Sequence, residues 1–186
     1  MQEGSTTRRP DVSEVYSPPR VTAMARAMGM NAGWALDLRT VDANGRKWNF
    51  EDPSRRTEAL RLVRETTPRV LIGSPMCTAF SQLQALNRRK LGETLWRARI
   101  EEATRHLIFC CALYFEQMKR GDYFLHEHPA GASSWQTPAM VRLSAAPGVV
   151  RVTGDMCAHG MWQTDKEGPG LVRKPTGFMT NSPCLD

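Results

Sequence analysis

Two short stretches carry the residues best suited to covalent chemistry. Gly73-Ser74-Pro75-Met76-Cys77-Thr78-Ala79-Phe80-Ser81 ends an apolar run in a tight turn and presents one cysteine. Leu125-His126-Glu127-His128-Pro129 presents a carboxylate between two imidazoles. A thiolate is a nucleophile, and a positioned carboxylic acid can protonate the group it attacks. A free thiol has a pKa of about 8.5, and a loop at a helix N-terminus near Arg88, Arg89 and Lys90 would lower it. The competing reading of Cys77 is a buried, inert cysteine, and that of Glu127 is a salt-bridged or capping acid. His126 and His128 could orient Glu127, contact phosphate or invite a metal. Successive strand side chains point to opposite faces, so His126, Glu127 and His128 cannot share one ion unless the segment bends. No CxxC pair exists, which argues against a structural zinc site, and no metal is expected.

A second group of candidates sits where strands should end. Asp37 closes the second expected strand, where acids hold ribose hydroxyls. Ser17-Pro18-Pro19-Arg20 opens a helix, a favourable place for an anion. Ser74 and Pro75 precede the cysteine, and Tyr16 follows the first strand. Arg88, Arg89, Lys90, Arg97 and Arg99 form the densest basic region and are candidates for holding phosphates; a solvated charged face is the equal alternative.

The elements that position these residues can be read from periodicity and punctuation. Asp11 to Tyr16 and Gly33 to Leu38 read as strands, with a helix from Val21 to Met28 between them that turns Val21, Met24, Ala25 and Met28 to one face. Lys47-Trp48-Asn49-Phe50 suits a very short strand. Asp52-Pro53-Ser54 can start a helix running to about Glu65, with Ala59, Leu60 and Val63 inward. Val70-Leu71-Ile72 is apolar without alternation, as a parallel strand covered on both faces would be. Trp96, Ile100, Ala103, Leu107, Cys110, Tyr114 and Met118 alternate spacings of four and three along a long amphipathic helix, which makes packing the expected role of Cys110 and Cys111. Tyr123 to Leu125 and Val149 to Val152 are further strands, Ala139 to Ser144 is a short helix, and the Gly- and Pro-rich segment from Met156 to Pro183 suits a hairpin ending near Phe178-Met179. Strands alternating with helices predict a doubly wound, mostly parallel α/β sheet, whose ligands sit beyond the carboxyl ends of the strands.

The bounds agree with one domain. Residues 1–10 are polar and basic and read as a flexible tail, and residues 11–186 as a single unit. A net charge of +6 moderately favours a polyanionic partner. The five cysteines are odd in number and two are adjacent, which argues against a disulfide framework and for a reducing, intracellular compartment. No run is apolar enough to span a bilayer, and none has the form of a signal peptide, so no membrane association is expected.

In their order and spacing these motifs resemble the DNA C5-cytosine methyltransferases, which use S-adenosylmethionine. The Gly73 to Ser81 loop is similar to that family's Gly-Phe-Pro-Cys-Gln-x-Phe-Ser nucleophile loop, and His126-Glu127-His128 to its Glu-Asn-Val motif. Arg105 to Met118 resembles its Arg-x-x-Leu-Phe helix. Glu14-Val15-Tyr16-Ser17 with Asp37 occupies the place of its Asp-Leu-Phe-x-Gly cofactor strand and the acid that follows. The resemblance implies a Rossmann-like class I methyltransferase fold, shortened and without a separate target-recognition domain. It implies Cys77 and Glu127 as catalytic residues. Glu14, Tyr16, Ser17, Asp37, Asp52, Ser74 and Pro75 would bind cofactor, with Trp48 or Phe50 on the adenine or, as the commoner role, in the core. Arg88, Arg89, Lys90, His128, Arg173 and Lys174 would face substrate. DNA is the implied partner, with target reading supplied by a partner or by a larger polypeptide. Three departures stand out: Ser17-Pro18-Pro19-Arg20 replaces a glycine-rich loop, Met76 separates Pro75 from Cys77, and only one helix fits between Asp37 and Val70. An inactive nucleic-acid-binding module, or an enzyme acting on RNA or free nucleotides, remains an alternative reading.

Overall fold

The computed structural model describes residues 8–81 and 90–184. In chain order its elements are β1 (Val12–Val15), α1 (Val21–Ala27), β2 (Ala32–Leu36), α2 (Pro53–Thr66), β3 (Val70–Gly73), α3 (Glu93–Lys119), β4 (Tyr123–Pro129), α4 (Pro138–Ser144), β5 (Val150–Asp155), β6 (Trp162–Asp165), β7 (Gly168–Leu171) and β8 (Pro175–Thr180). Six strands form one sheet in the order β2-β1-β3-β4-β8-β5. The first four run parallel, and β8 inserts antiparallel between β4 and β5. This is the mostly parallel α/β architecture that the alternation of strands and helices predicts.

α1 packs on β1 and β2, whereas α2 packs on α3 and α3 on β3 and β4, and the right-handed rule for parallel crossovers puts α1 on one face of the sheet and α2 and α3 on the other. The α3 face holds the core, in which Leu71, Leu107, Leu113, Tyr114, Phe124, Met140 and Leu143 are all fully buried. On β4 the pattern alternates: Phe124, His126 and His128 are buried, while Leu125 and Glu127 are only partly so. Ile72, Leu125 and Phe178 therefore remain half-covered where α1 does not reach.

Local chemistry explains the element ends. Asp52 Oδ1 accepts the Ser54 N–H at 2.8 Å and Pro53 occupies the first turn, so α2 starts there. Gly73 ends β3 where α3 passes close: a Cβ there would fall on the Tyr114 hydroxyl and 2.7 Å from Cys110 Sγ. The cysteine turn thus begins at a point where no side chain fits.

Several sequence expectations need correction. Lys47 to Phe50 is not a strand; only Val41 and Lys47 form an isolated bridge, and the segment is held by Arg55, which pairs with Asp42 at 3.0 Å and stacks over Trp48 at 3.8 Å. The buried face of α1 is Thr22 and Ala25, whereas Val21, Met24 and Met28 are exposed. Adjacent residues lie about 100° apart around a helix, so inward Thr22 turns Val21 outward, and the hydroxyl of Thr22 is drawn inward by Glu14. The Gly- and Pro-rich C-terminal segment divides in two: β6 and β7 form a separate antiparallel hairpin, and β8 enters the main sheet. Of the expected tail, residues 1–7 lie outside the described residues. Arg9 is bonded to Asp122 and to the Thr67 carbonyl, and the Pro10 carbonyl accepts the Arg69 N–H at 2.9 Å.

Candidate functional site

Strand register brings the candidate residues to one level. Val15 pairs with Leu36 and with Gly73, and Gly73 pairs with His126. The next residue on each strand is Tyr16, Asp37, Ser74 and Glu127, so four chemically capable side chains leave the sheet in one row. β1 has β2 on one side and β3 on the other, which makes this row the switch point where α/β sheets open a crevice.

Two adjoining cavities occupy that edge. The larger, about 610 Å³, is lined by Glu14, Ser17, Pro75, Cys77, Glu127 and Lys174 and floored by Ile72, Leu125 and Phe178. The smaller, about 450 Å³, is walled by Trp48, Phe50, Glu51, Glu102 and His106. Tyr16, Asp37, Ser74 and Met76 line both and connect them. The floor of the larger cavity is the sheet face that α1 leaves uncovered.

Cys77 is partly exposed and stands at the start of a short 3-10 turn, Thr78–Phe80. Its loop is held from beneath. His128 Nε2 lies 2.8 Å from the Pro75 carbonyl and its Nδ1 lies 2.7 Å from Ser134 Oγ. A carbonyl can only accept, so Nε2 carries the proton and Nδ1 accepts from the serine. Burial lowers the pKa of His128, in keeping with this neutral tautomer, and the imidazole is only 1% exposed. His128 lines the larger cavity and also acts as a strut for the Cys77 loop, with both ring nitrogens engaged by the protein.

Beneath it, His126 Nδ1 is 3.0 Å from the Tyr114 hydroxyl, which accepts from Cys110 Sγ. His126 Nε2 is buried without a partner among the described residues. Burial pushes the Cys111 thiol up to about 12 and Cys110 well above its ordinary range, so neither supplies a thiolate at neutral pH.

Glu127 points to the opposite face, away from both histidines, and pairs with Lys174 at 3.4 Å. The structure therefore separates the carboxylate from the two imidazoles, as strand alternation requires. Glu14 is 1% exposed, and its Oε1 accepts from the Thr22 N–H at 2.6 Å, the Thr22 hydroxyl at 2.7 Å and the Arg20 N–H at 3.1 Å. Burial alone would raise its pKa, but these bonds and one from Ser17 outweigh it and keep Glu14 ionised. The Ser17 to Arg20 turn is thereby pinned to β1 through a carboxylate. Asp37 Oδ1 accepts the Arg39 N–H at 2.9 Å.

Tyr16 is the strained member of the row. Its φ is +58°, a conformation costly for a bulky residue, and its hydroxyl lies 3.0 Å from His106 Nδ1 and 3.4 Å from the His106 carbonyl. His106 Nε2 in turn contacts Glu51 Oε1.

Other expected contacts fall elsewhere. Asp52 lines neither cavity; it caps α2, and its neighbour Glu51 faces the cavity instead. Arg173 is 79% exposed and pairs with Asp155 at 3.2 Å, outside both cavities. Lys90 is exposed and lines neither, and Arg88 and Arg89 lie outside the described residues. Sequence reasoning missed Glu51, Glu102 and His106. The four-residue spacing of Glu102 and His106 on one helix face was the available signal. No protein-family model and no curated protein matches this chain.

Proposed function

We propose that this chain is an S-adenosylmethionine-dependent methyltransferase acting at C5 of a pyrimidine, with cytosine in DNA as the target. One observation carries the reading: Cys77, Glu127, Asp37 and Glu14, drawn from four separate strand ends, all line one cleft. The mostly parallel sheet supports it, as does the adjoining cavity, whose Tyr16, Trp48 and Phe50 walls suit a flat heterocycle beside an acid suited to ribose. Asp37 and the aromatic walls would hold the nucleoside of the cofactor, and Glu14 with the Ser17 to Arg20 turn its amino acid end. The bound cofactor supplies an electrophilic methyl group.

The protein's own part is nucleophilic catalysis. C5 of cytosine is a weak nucleophile until the Cys77 thiolate adds at C6, which makes C5 enamine-like. Glu127 protonates or hydrogen-bonds N3 as that negative charge develops. Lys174 must release Glu127 as the base enters. After C5 is methylated, solvent water takes the C5 proton, that electron pair forms the C5–C6 double bond and expels the Cys77 sulfur as thiolate, and N3 returns its proton to Glu127. A base within a duplex has to be flipped out to reach the cleft.

DNA containing 5-fluorocytosine tests the chemistry, because fluorine at C5 blocks the final elimination. The expected result is a cofactor-dependent covalent complex with the wild-type chain and none with Cys77→Ala. In parallel, Asp37→Ala is expected to weaken S-adenosylmethionine binding measured by calorimetry. Methyl transfer that persists in Cys77→Ala sinks the nucleophile assignment. DNA binding without detectable cofactor binding would leave only the non-catalytic module that the Glu127–Lys174 pair favours.

A further inference from the structure

We propose that Glu51, Glu102 and His106 form a binding site for a divalent first-row transition ion in the wall of the smaller cavity. One ligand atom from each residue lies within 4.8 Å of the other two. Bonds of about 2.0–2.1 Å to a tetrahedral ion place its ligands about 3.3 Å apart, so small rotations of the two glutamate side chains close the set. Glu102 and His106 are four residues apart on α3 and project from one face, while Glu51 approaches from the turn before α2.

The ring of His106 is prepared for this role from behind. It is 3% exposed, with Nε2 facing the carboxylates and Nδ1 facing the Tyr16 hydroxyl at 3.0 Å. That hydroxyl also has the His106 carbonyl at 3.4 Å as an acceptor. Without an ion, Nε2–H donates to Glu51 and Nδ1 accepts from Tyr16; when an ion takes the place of that proton, Nδ1–H can donate to Tyr16, whose own proton goes to the carbonyl, and the Nε2 lone pair faces the ion. Such an acceptor behind the ring is what fixes the tautomer of metal-bound histidines. The backbone strain at Tyr16 lies at the residue that provides it.

Charge balance points the same way. Two carboxylates face one another across the imidazole, and among the described residues only Glu51 has a cationic side chain paired with it, Arg105 at 3.7 Å. Glu102 has no hydrogen bond or ion pair among the described residues. One imidazole with two carboxylates suits zinc, cobalt, iron or manganese, and three protein donors leave a coordination position for a ligand oxygen in the cavity. The ligands come from two distant segments, which is why no metal motif is visible along the chain.

Titration of the full chain with Zn2+ by calorimetry and with Co2+ by visible absorption tests the site. One ion per chain is expected, with affinity reduced at least tenfold in Glu102→Gln and in Glu51→Gln, two partly accessible positions whose replacement leaves the core intact. Tyr16→Phe removes the acceptor behind the ring and is expected to weaken binding by about tenfold or more. Binding with unchanged affinity in both glutamine variants, or no saturable binding in the wild type, overturns the proposal. Metal binding is read without cofactor or DNA, so either this proposal or the methyl-transfer reading can fail without the other.

Discussion

The Cys77 turn is held at the residue scale by a buried imidazole whose two ring nitrogens are both taken up by the protein. His128 ties the Pro75 carbonyl to Ser134, two residues before the thiol and from below it. Replacing it with phenylalanine keeps the ring volume but orphans a buried carbonyl and a buried hydroxyl. The expected cost is about 1–3 kcal/mol of stability, measured by urea denaturation. Iodoacetamide labelling followed by peptide mass analysis should show an altered rate at Cys77 and an unaltered rate at Cys184, which is exposed and remote from the strut. An unchanged Cys77 rate would mean that His128 stabilises the core without positioning the loop. The presence of Cys77 and Glu127 as chemically capable residues was legible from residue type and from the turns around them. The role of His128 was not, because the carbonyl it binds lies in the loop after β3, far from it in sequence.

At the scale of elements, the helix that starts at Asp52 separates a structural acid from a candidate functional one. Asp52 accepts the Ser54 N–H, which holds its carboxyl below the usual range, and it lines no cavity. Asp52→Ala is expected to lower the thermal midpoint through the lost cap and to leave S-adenosylmethionine affinity unchanged. A loss of affinity together with unchanged stability would restore Asp52 to the site. Element types read well from the sequence where periodicity was long, as in α3, and where apolar runs were bounded by turn residues, as in β3. The reading failed where one period fitted two outcomes. In α1 the apolar stripe of Val21, Met24 and Met28 faces outward, because the buried Glu14 carboxylate requires Thr22 inside. The aromatic segment Lys47 to Phe50 has strand-like composition but no neighbouring strand to pair with, and it instead walls a cavity.

At the scale of the whole molecule, two buried neutral histidines make stability depend on pH. Burial lowers the pKa of His128 and drives that of His126 well below its ordinary 6.5. Below about pH 6.5 the unfolded chain therefore binds protons that the folded chain refuses, and stability falls as pH decreases. The slope approaches about 1.4 kcal/mol per pH unit for each histidine. Replacing His128 by asparagine should flatten the fall in thermal midpoint between pH 6.5 and 5, and an unchanged slope would assign the effect elsewhere. The same scale shows what each level of information decided. The sequence by itself determined the alternation of strands and helices, the turn that exposes Cys77 and the acids at the strand ends, because these depend on neighbours along the chain. Only the tertiary structure decided that β8 enters the sheet in reverse, that α1 leaves part of one face open as the floor of the cleft, and that His106 meets Glu51 on one side of its ring and Tyr16 on the other. Those outcomes depend on strand register and crossover direction, which join residues far apart in sequence, and no local pattern encodes which distant partner each strand end will face.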